Sequence, residues 1–371
     1  MYPLVKAKSL IAGLVVAGSI AGAMAAEGLN KSGGEYRILP TLPGDQTLAQ
    51  MSLGMDGGFL VTQDNSIDGN GLGIRARKFY GDLSASQYTF QVNAKHLGDQ
   101  QNPRVALLKG GGAVFAWEGS TASGHRIFVR FLDQQDTFSS DEILGSSRAF
   151  GSQTDPALTV LNDGTVVLVW AEWDRDGNMD GIFGQRFTSA GIRSGGVFLV
   201  NQTTRLSQRV PAVTALENGN FVVGWITDEN RHENSIDLYA RIFGADATPL
   251  GNEFPVNSWK VKLVIDKLVE VAEVCANPFL TPIPGGFRAA WSERTSDGSL
   301  ESWDVVTRAF SAEGEALSGE VVVNNTTKGD QFSPKIGTAG GKQLILWTSF
   351  GQDGADEGIY GRLLNATGGL E

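Results

Sequence analysis

The sequence predicts an all-β fold, a six-bladed β-propeller of four-stranded antiparallel blades. Five tryptophans recur at intervals of 53, 55, 66 and 56 residues: Trp117, Trp170, Trp225, Trp291 and Trp347. Each ends a short apolar run, as in the segment 164–170 (GTVVLVW). Four such runs, separated by Gly, Asn and Asp, make up a full copy. A four-stranded unit repeated at this interval is typical of propeller blades.

The third copy illustrates the four strands of one blade. Its apolar runs are 156–161, 165–170, 181–187 and 196–201, and their Val, Leu, Ile and Phe residues favour short strands joined by turns. Copies of the second strand number six if Gln63 stands where the other copies have Trp. The predicted blades are 47–93, 101–144, 153–201, 208–257, 276–324 and 331–364.

The two ends of the repeat region predict how the ring closes. The sixth copy has three strands, and the segment 34–40 (GEYRILP) stands alone before the first copy. We expect 34–40 to complete the last blade as its outermost strand, because this removes an exposed sheet edge. The first strand of every blade then lies innermost, around the axis.

Residues that recur in most copies are expected to hold the blades together. The tryptophans should pack between adjacent blades. An Arg recurs in the third strand of five copies, at Arg77, Arg130, Arg241, Arg308 and Arg362. A Gln precedes the first strand of four copies, at Gln101, Gln153, Gln208 and Gln331. We expect these side chains to bond loop carbonyls and carboxylates.

The repeat itself resembles a known group of sequences. The pattern Q-x-x-P-x-V, D-G-x-x-V-V-x-W, G-I-Y-G-x-R-F and E-F-x-V-N extends over nearly all of residues 34–364. It resembles repeats of large secreted bacterial proteins, often exoproteins that also carry calcium-binding modules. The resemblance implies a propeller fold and export. That family has no general assigned activity, so the resemblance implies no chemistry.

The first 26 residues are predicted to be a secretory signal peptide. Lys6 and Lys8 precede an apolar stretch from Leu10 to about Ala21, and Ala23-Met24-Ala25 offers a cleavage site. A membrane anchor is the alternative, but the stretch is short for a span of about 20 apolar residues. We therefore expect a secreted or periplasmic protein without a membrane span.

The net charge argues against a nucleic-acid partner, and the cysteine content excludes a disulfide within the chain. Loss of residues 1–26 removes two lysines and no acids, which takes the formal net charge from -11 to -13. Such a chain is a poor partner for nucleic acid, which needs clustered Lys and Arg. The single cysteine, Cys275, leaves no disulfide within the chain, and we expect it to be buried as a small apolar residue.

Two loops between second and third strands are candidate calcium sites. In copy three, oxygen-bearing side chains alternate along the loop at Asp174, Asp176, Asn178 and Asp180. In copy one, the corresponding loop carries Asp64, Ser66, Asp68 and Asn70. Such side chains can converge on Ca²⁺, which prefers six to eight oxygen ligands. Neither loop has the full EF-hand pattern, and both sets are also compatible with solvated turns.

One copy carries an insert, residues 258–277, that lengthens the fourth Trp interval. Val261, Ile265, Leu268, Ala272 and Cys275 recur at three-to-four spacing, which favours a short amphipathic helix; the many valines leave a strand pair open. The insert should share a face with the Asp-rich loops. Trp259 and Trp173 lie outside the repeat pattern and are the candidate binding residues on that face.

The sequence contains none of the motifs HExxH, G-x-S-x-G and the P-loop. Carboxylates could still meet across the face, for example Glu118 with Glu172 or Glu293, and glycosidases need only two such groups. The leading hypothesis is a secreted, non-enzymatic propeller that binds a protein or glycan partner through the face bearing the insert. The alternatives are an extracellular polysaccharide hydrolase or lyase, and a structural component of a surface assembly.

Overall fold

The computed structural model describes residues 17–18, 38–122, 124–148, 151–228, 235–264, 267–270, 273–295, 302–339, 342–352, 354, 356–365 and 368–370. Over these residues the protein is all-β, with six four-stranded sheets and no helix. The sheets form a six-bladed propeller, as the sequence predicts. Accordingly, none of the described residues belongs to a helix that could span a membrane.

Each of the first three blades is an antiparallel sheet whose strands follow one another in chain order. The strands of blade one are Gln46–Gly54, Gly57–Asp64, Gly73–Tyr80 and Ala85–Gln91. Those of blade two are Gln100–Leu107, Ala113–Thr121, Gly124–Leu132 and Ile143–Leu144. Those of blade three are Gln153–Val160, Val166–Trp173, Asp180–Phe187 and Arg193–Leu199.

The other three blades repeat this order, with short fourth strands and one exception. The strands of blade four are Gln208–Ala215, Phe221–Thr227, Asp237–Phe243 and Phe254–Pro255. Those of blade five are Glu273–Ile283, Gly286–Thr295, Asp304–Ser311 and Val321–Val322. Those of blade six are Gln331–Ala339, Lys342–Phe350 and Glu357–Leu364. A two-residue strand, Ala17–Gly18, pairs in parallel with the first strand of blade six.

The first strand of every blade contains a β-bulge near the axis. The ladder between first and second strands shifts register at the same place in all six blades. A non-glycine residue with φ between 51° and 56° lies at each shift: Leu48, Asn102, Asp155, Val210, Asn277 and Ser333. This left-handed conformation is uncommon outside glycine, so its sixfold recurrence is a built feature of the fold.

The repeated tryptophans pack between blades, as predicted. Trp170 lies in one apolar cluster with Val114 and Ile127 of the preceding blade, and Trp225 is similarly clustered with Val167 and Val169. The five indoles are at most 6% exposed. The strand register places Thr62, not Gln63, at the Trp position of blade one. The predicted position was therefore wrong by one residue.

The recurrent arginines connect each blade to the one before it, also as predicted. Arg130 Nη1 donates to the Val92 carbonyl at 2.8 Å, and its Nε donates to the Ser140 carbonyl. Arg241, Arg308 and Arg362 donate in the same way to carbonyls at the end of the preceding blade's fourth strand. Arg77 donates to the carbonyl of Ile38.

The contact between Arg77 and Ile38 bears on ring closure. Ile38 takes the place that the end of the preceding blade's fourth strand takes at the other arginines. Ile38 and Leu39 also pack on Met51, Leu60 and Phe79 of blade one. Residues 34–37 and the predicted signal peptide, apart from Ala17–Gly18, lie outside the described residues. The pairing of segment 34–40 with blade six therefore stays a prediction.

Glutamines at three of the recurrent positions bond loop carbonyls, and one of these positions was misplaced in the sequence analysis. In blade two the repeated position is Gln100, whose Nε2 donates to the Leu97 and Gly98 carbonyls. Gln208 and Gln331 make the same pair of bonds in their own blades. Cys275 takes this position in blade five, where it is buried as expected, and burial raises its thiol pKa.

The insert forms a hairpin, so the helix prediction was wrong. Val261–Val264 pairs antiparallel with Lys267–Glu270, and the next strand begins at Glu273. The segment carries β-branched valines at both strands, and such residues lose side-chain freedom in a helix but fit an extended ladder. The open alternative of a strand pair is the correct one.

Candidate functional site

The loops between second and third strands share one face with the crossings between blades. The Gln100 amide donates to the Leu72 carbonyl at 2.6 Å, across this face of blade one. The Gln331 and Cys275 amides make equivalent bonds to the carbonyls of Trp303 and Ile236. All the predicted site residues and the insert thus belong to the same face.

Asp176 connects the copy-three loop to Asn201, which follows the fourth strand of the same blade. Asp176 Oδ1 accepts from the Asn178 amide at 3.2 Å, and its Oδ2 accepts from Asn201 Nδ2 at 3.2 Å. Asp174 and Asn178 are exposed, and Asp174 has a left-handed backbone with φ 53°. Asp180 is half-buried and accepts a long bond from Ser207. The loop side chains therefore have different partners.

The copy-one loop repeats this arrangement. Asp68 accepts from the Asn70 amide at 3.1 Å and from Asn93 Nδ2 at 3.0 Å. Asp64 accepts from Arg75 Nε at 2.5 Å and from Ser66 Oγ at 2.6 Å. Burial raises the pKa of Asp64, but these hydrogen bonds outweigh burial and lower it below its usual value.

Calcium binding by these loops stays a prediction. Among the described residues, no group of three or more His, Cys, Asp or Glu side chains is arranged to hold a metal ion.

The two candidate binding tryptophans are both exposed. Trp173 is 49% and Trp259 is 59% exposed, on the face that carries the insert. Lys260, the next residue, contacts Glu293 and lies 3.5 Å from Glu273 and 3.9 Å from Glu320. These ion pairs anchor the start of the insert to blade five, which holds the backbone beside Trp259.

The carboxylate pairs considered from the sequence have different roles. Glu172 accepts from Trp170 Nε1 at 2.9 Å and from Arg175 Nη1 at 2.9 Å. Glu293 accepts from Trp291 Nε1 at 2.8 Å and contacts Lys260. Both glutamates therefore serve their own blades, and within the described part of the chain neither shares a hydrogen-bonding partner with Glu118.

Glu118 instead reaches the inner strand of the next blade. It follows Trp117 directly, and its Oε1 accepts from the Asp155 amide at 2.6 Å and from Asn102 Nδ2 at 2.7 Å. Its Oε2 accepts from Gln101 Nε2 at 3.0 Å. Asn102 and Asp155 are the left-handed residues of their bulges, so Glu118 links two adjacent bulges.

Asp155 has the most strongly shifted pKa among the carboxyls around Glu118. It is half-buried on the inner strand of blade three. Burial and the charge of Glu118 raise its pKa to about 6, while Arg104 opposes part of this shift. Asp180 contributes further to the rise, and burial also raises the pKa of Asp180 itself. Perturbed carboxyls of this kind favour acid–base chemistry near neutral pH.

Two cations lie close together near the axis. Arg104 and Lys335 occupy equivalent inner-strand positions, directly after Pro103 and Pro334. Burial, followed by the charge of Arg104, lowers the pKa of Lys335 to about 7. Lys335 Nζ also lies 5.0 Å from the ring of Phe279.

The site that the structure assembles consists of Glu118, Asp155, Asp180, Arg104 and Lys335, which we call the axial cluster. Of these, the sequence analysis singled out only Glu118 and Asp180. Arg104 and Lys335 could have been found as breaks in the period, because blades three and four have the small Ala157 and Ala212 at the same position.

The comparisons with known proteins support the fold but do not assign the chain to a family. No protein-family model and no curated protein matches the chain. A protein of unknown function from Dyadobacter fermentans is similar in structure, with TM-score 0.56 and 11% identity, over 86% of this chain and 94% of that one. An α-L-arabinofuranosidase of Fusarium graminearum, bound to an iminosugar inhibitor, has TM-score 0.50 and 14% identity, over 83% and 90%. The GH93 α-L-arabinofuranosidase of Fusarium graminearum in complex with arabinobiose has TM-score 0.50 and 13% identity, over 83% of this chain and 90% of that one.

Proposed function

We propose that this protein is an extracellular glycoside hydrolase whose active centre is the axial cluster. The carrying observation is the placement of Asp155, which sits on a left-handed bulge, donates its amide to the buried Glu118 and lies within reach of the charge of Arg104. Glycoside hydrolysis needs one carboxylic acid that keeps its proton near neutral pH and a second, ionised carboxylate. Asp155 is suited to the first role.

The remaining groups take supporting roles in this proposal. Asp180 of the cluster, and Asp228 whose charge acts on it, are half-buried near Arg209, and they are the candidates for the base or nucleophile. Glu118 is a positioning residue, since it accepts from the Asp155 backbone and its charge raises the pKa of Asp155. Arg104 and Lys335 can donate hydrogen bonds to sugar oxygens at the axis.

Because the fold is similar to that of an arabinofuranosidase, arabinose-containing compounds are the first substrates to assay. We expect turnover of at least one member of a panel of arabinose-containing polysaccharides and nitrophenyl glycosides. Asp155→Asn should lower kcat by at least about 100-fold, as loss of a general acid does. The exposed Asp163→Asn, in a hairpin of the opposite face, should match the wild type. Wild-type rates in Asp155→Asn, or no turnover of any substrate, would overturn the proposal.

A second candidate function is glycan or protein binding without turnover, and the exposed Trp173 and Trp259 favour it. Large exposed aromatic side chains are typical of recognition surfaces. The double variant Trp173→Ala/Trp259→Ala should lose at least tenfold in affinity on a glycan array while unfolding at the wild-type temperature. Tyr88→Ala, at an exposed aromatic on an outer strand, is the control. Equal affinity in both variants would remove this candidate.

A further inference from the structure

The indole of Trp347 in blade six lacks the glutamate partner that two of its equivalents have. In blades three and five the indole N–H of Trp170 or Trp291 donates to the glutamate two residues later, Glu172 or Glu293. The position two residues after Trp347 is Ser349, whose hydroxyl bonds Gln352 Oε1 at 2.9 Å instead. Trp347 is 6% exposed, and its Nε1 has no hydrogen-bond partner among the described residues.

A cleft of about 300 Å³ lies beside this indole. Trp347, Tyr360, Arg362, Asn325 and Thr326 are among the side chains that line it. It opens on the face that carries the insert, since Asn325 and Thr326 belong to the crossing from blade five to blade six. Ligand sites begin at about this volume, and a single sugar ring or small organic acid is the size it could hold.

The indole partners in blades three and five indicate which chemistry the cleft beside Trp347 would favour in a ligand. In blade three a carboxylate accepts from the indole and is paired with Arg175. In blade five a carboxylate accepts from the indole and is paired with Lys260. Blade six keeps the indole and has the Arg362 guanidinium at the cleft, but it has no carboxylate of its own at position 349.

Arg362 is held in place before any ligand arrives. Its Nη1 donates to the Val323 carbonyl at 3.0 Å and to Asn325 Oδ1 at 2.7 Å. A buried N–H donor without an acceptor is unfavourable, and an acceptor that also carries negative charge gains from a fixed guanidinium. Tyr360 adds a half-buried ring and a hydroxyl to the same wall.

We propose that the cleft beside Trp347 binds a small carboxylate ligand, whose oxygen accepts from Trp347 Nε1 and takes the place of the glutamate found in blades three and five. This site is separate from the axial cluster and does not depend on the proposed hydrolase activity. Uronic acids and simple organic acids share the required carboxylate, so the experiment distinguishes them.

The test uses calorimetric titration of the full-length protein with galacturonate, glucuronate, succinate and glucose. Galacturonate, glucuronate or succinate should bind and glucose should not. Tighter binding of the uronates than of succinate would assign the site to acidic sugars, and the reverse order would assign it to organic acids. Absence of binding by all three carboxylates, or binding of glucose with equal affinity, would overturn the proposal.

Two variants connect the binding to this cleft. Ser349→Glu supplies the carboxylate internally, so it should raise the unfolding temperature without ligand and weaken carboxylate binding at least tenfold. Trp347→Phe removes the N–H donor but keeps an aromatic ring, and it should also weaken binding at least tenfold. Ser189→Glu, on an exposed turn of the opposite face, adds the same charge and should bind as the wild type. Wild-type affinity in Trp347→Phe would overturn the proposal even if Ser349→Glu does not fold.

Discussion

Asp155 combines three properties that are uncommon in one side chain. It has a left-handed backbone, its amide donates to a buried glutamate, and its pKa is raised to about 6. Asp and Asn accept a left-handed backbone more readily than most residues. The equivalent bulge of blade four has the β-branched Val210, so the backbone geometry does not require an acid at this position. The acid at position 155 therefore needs another explanation, and proton transfer supplies one.

Replacement of Asp155 by Asn should change how stability depends on pH. The pKa of Asp155 is raised on folding from 3.8 to about 6, so the folded protein holds a proton that the unfolded chain has lost. Wild-type stability should fall, relative to Asp155→Asn, as pH rises from about 4 to 6. At pH 7 the variant should be more stable by about 1–2 kcal/mol, less than the full shift implies because Asp155 is partly exposed. Urea unfolding at pH 4, 5, 6 and 7 measures this, and a difference independent of pH would contradict it.

The residues that the sequence analysis misplaced were each wrong by one position. Gln63 was assigned to the Trp position that Thr62 holds, and Gln101 to the position that Gln100 holds. A slip of one residue moves a side chain to the opposite face of a strand, and only the ladder register reveals it. The bulge before each inner-strand proline adds a residue that period counting does not detect. The approach of Asp155 to Glu118 depends on that bulge, so it could not be predicted.

At the scale of elements, the strands were predictable and the insert was not. Short Val-rich runs between Gly, Asn and Asp turns predict strands well, because the turn residues fix where each strand ends. In the insert, several of the apolar residues at three-to-four spacing are valines, which also fit a β-ladder. Periodicity over so short a segment does not distinguish a helix from a strand pair. The shared face of loops and insert was predicted correctly, because it follows from strand order alone.

The recurrent arginines connect elements of different blades, and Arg308 offers a clear test. Its Nη1 donates to the Val256 carbonyl at 3.0 Å and its Nε to the Ser318 carbonyl at 3.1 Å. Lysine keeps the charge but lacks the fork that reaches both carbonyls. Arg308→Lys should therefore lower the free energy of unfolding by about 1–3 kcal/mol. Arg294→Lys, at an exposed arginine, is the matched control in urea unfolding. Equal stability of the two variants would remove the assigned role.

At the scale of the whole molecule, each blade depends on its neighbours for a core. The apolar clusters lie between successive blades, so no blade buries its tryptophan alone. Such an arrangement is stable only when the ring closes, because an open ring would expose the face of blade one and the edge of blade six. Functional groups at the axis, drawn from blades two, three and six, then depend on closure for their positions.

Closure should therefore depend on the segment before blade one. Ile38 and Leu39 cover Met51, Leu60 and Phe79, and the Ile38 carbonyl accepts from Arg77. A chain that begins at Thr41 loses this apolar contact and the acceptor for Arg77, so it should be less stable by at least about 2 kcal/mol. Its exposed edge should also promote association. Thermal unfolding and size-exclusion chromatography measure both effects, and a chain that begins at Gly34 is the control. If both chains unfold at the same temperature and remain monomeric, the segment 34–40 has no part in closing the ring.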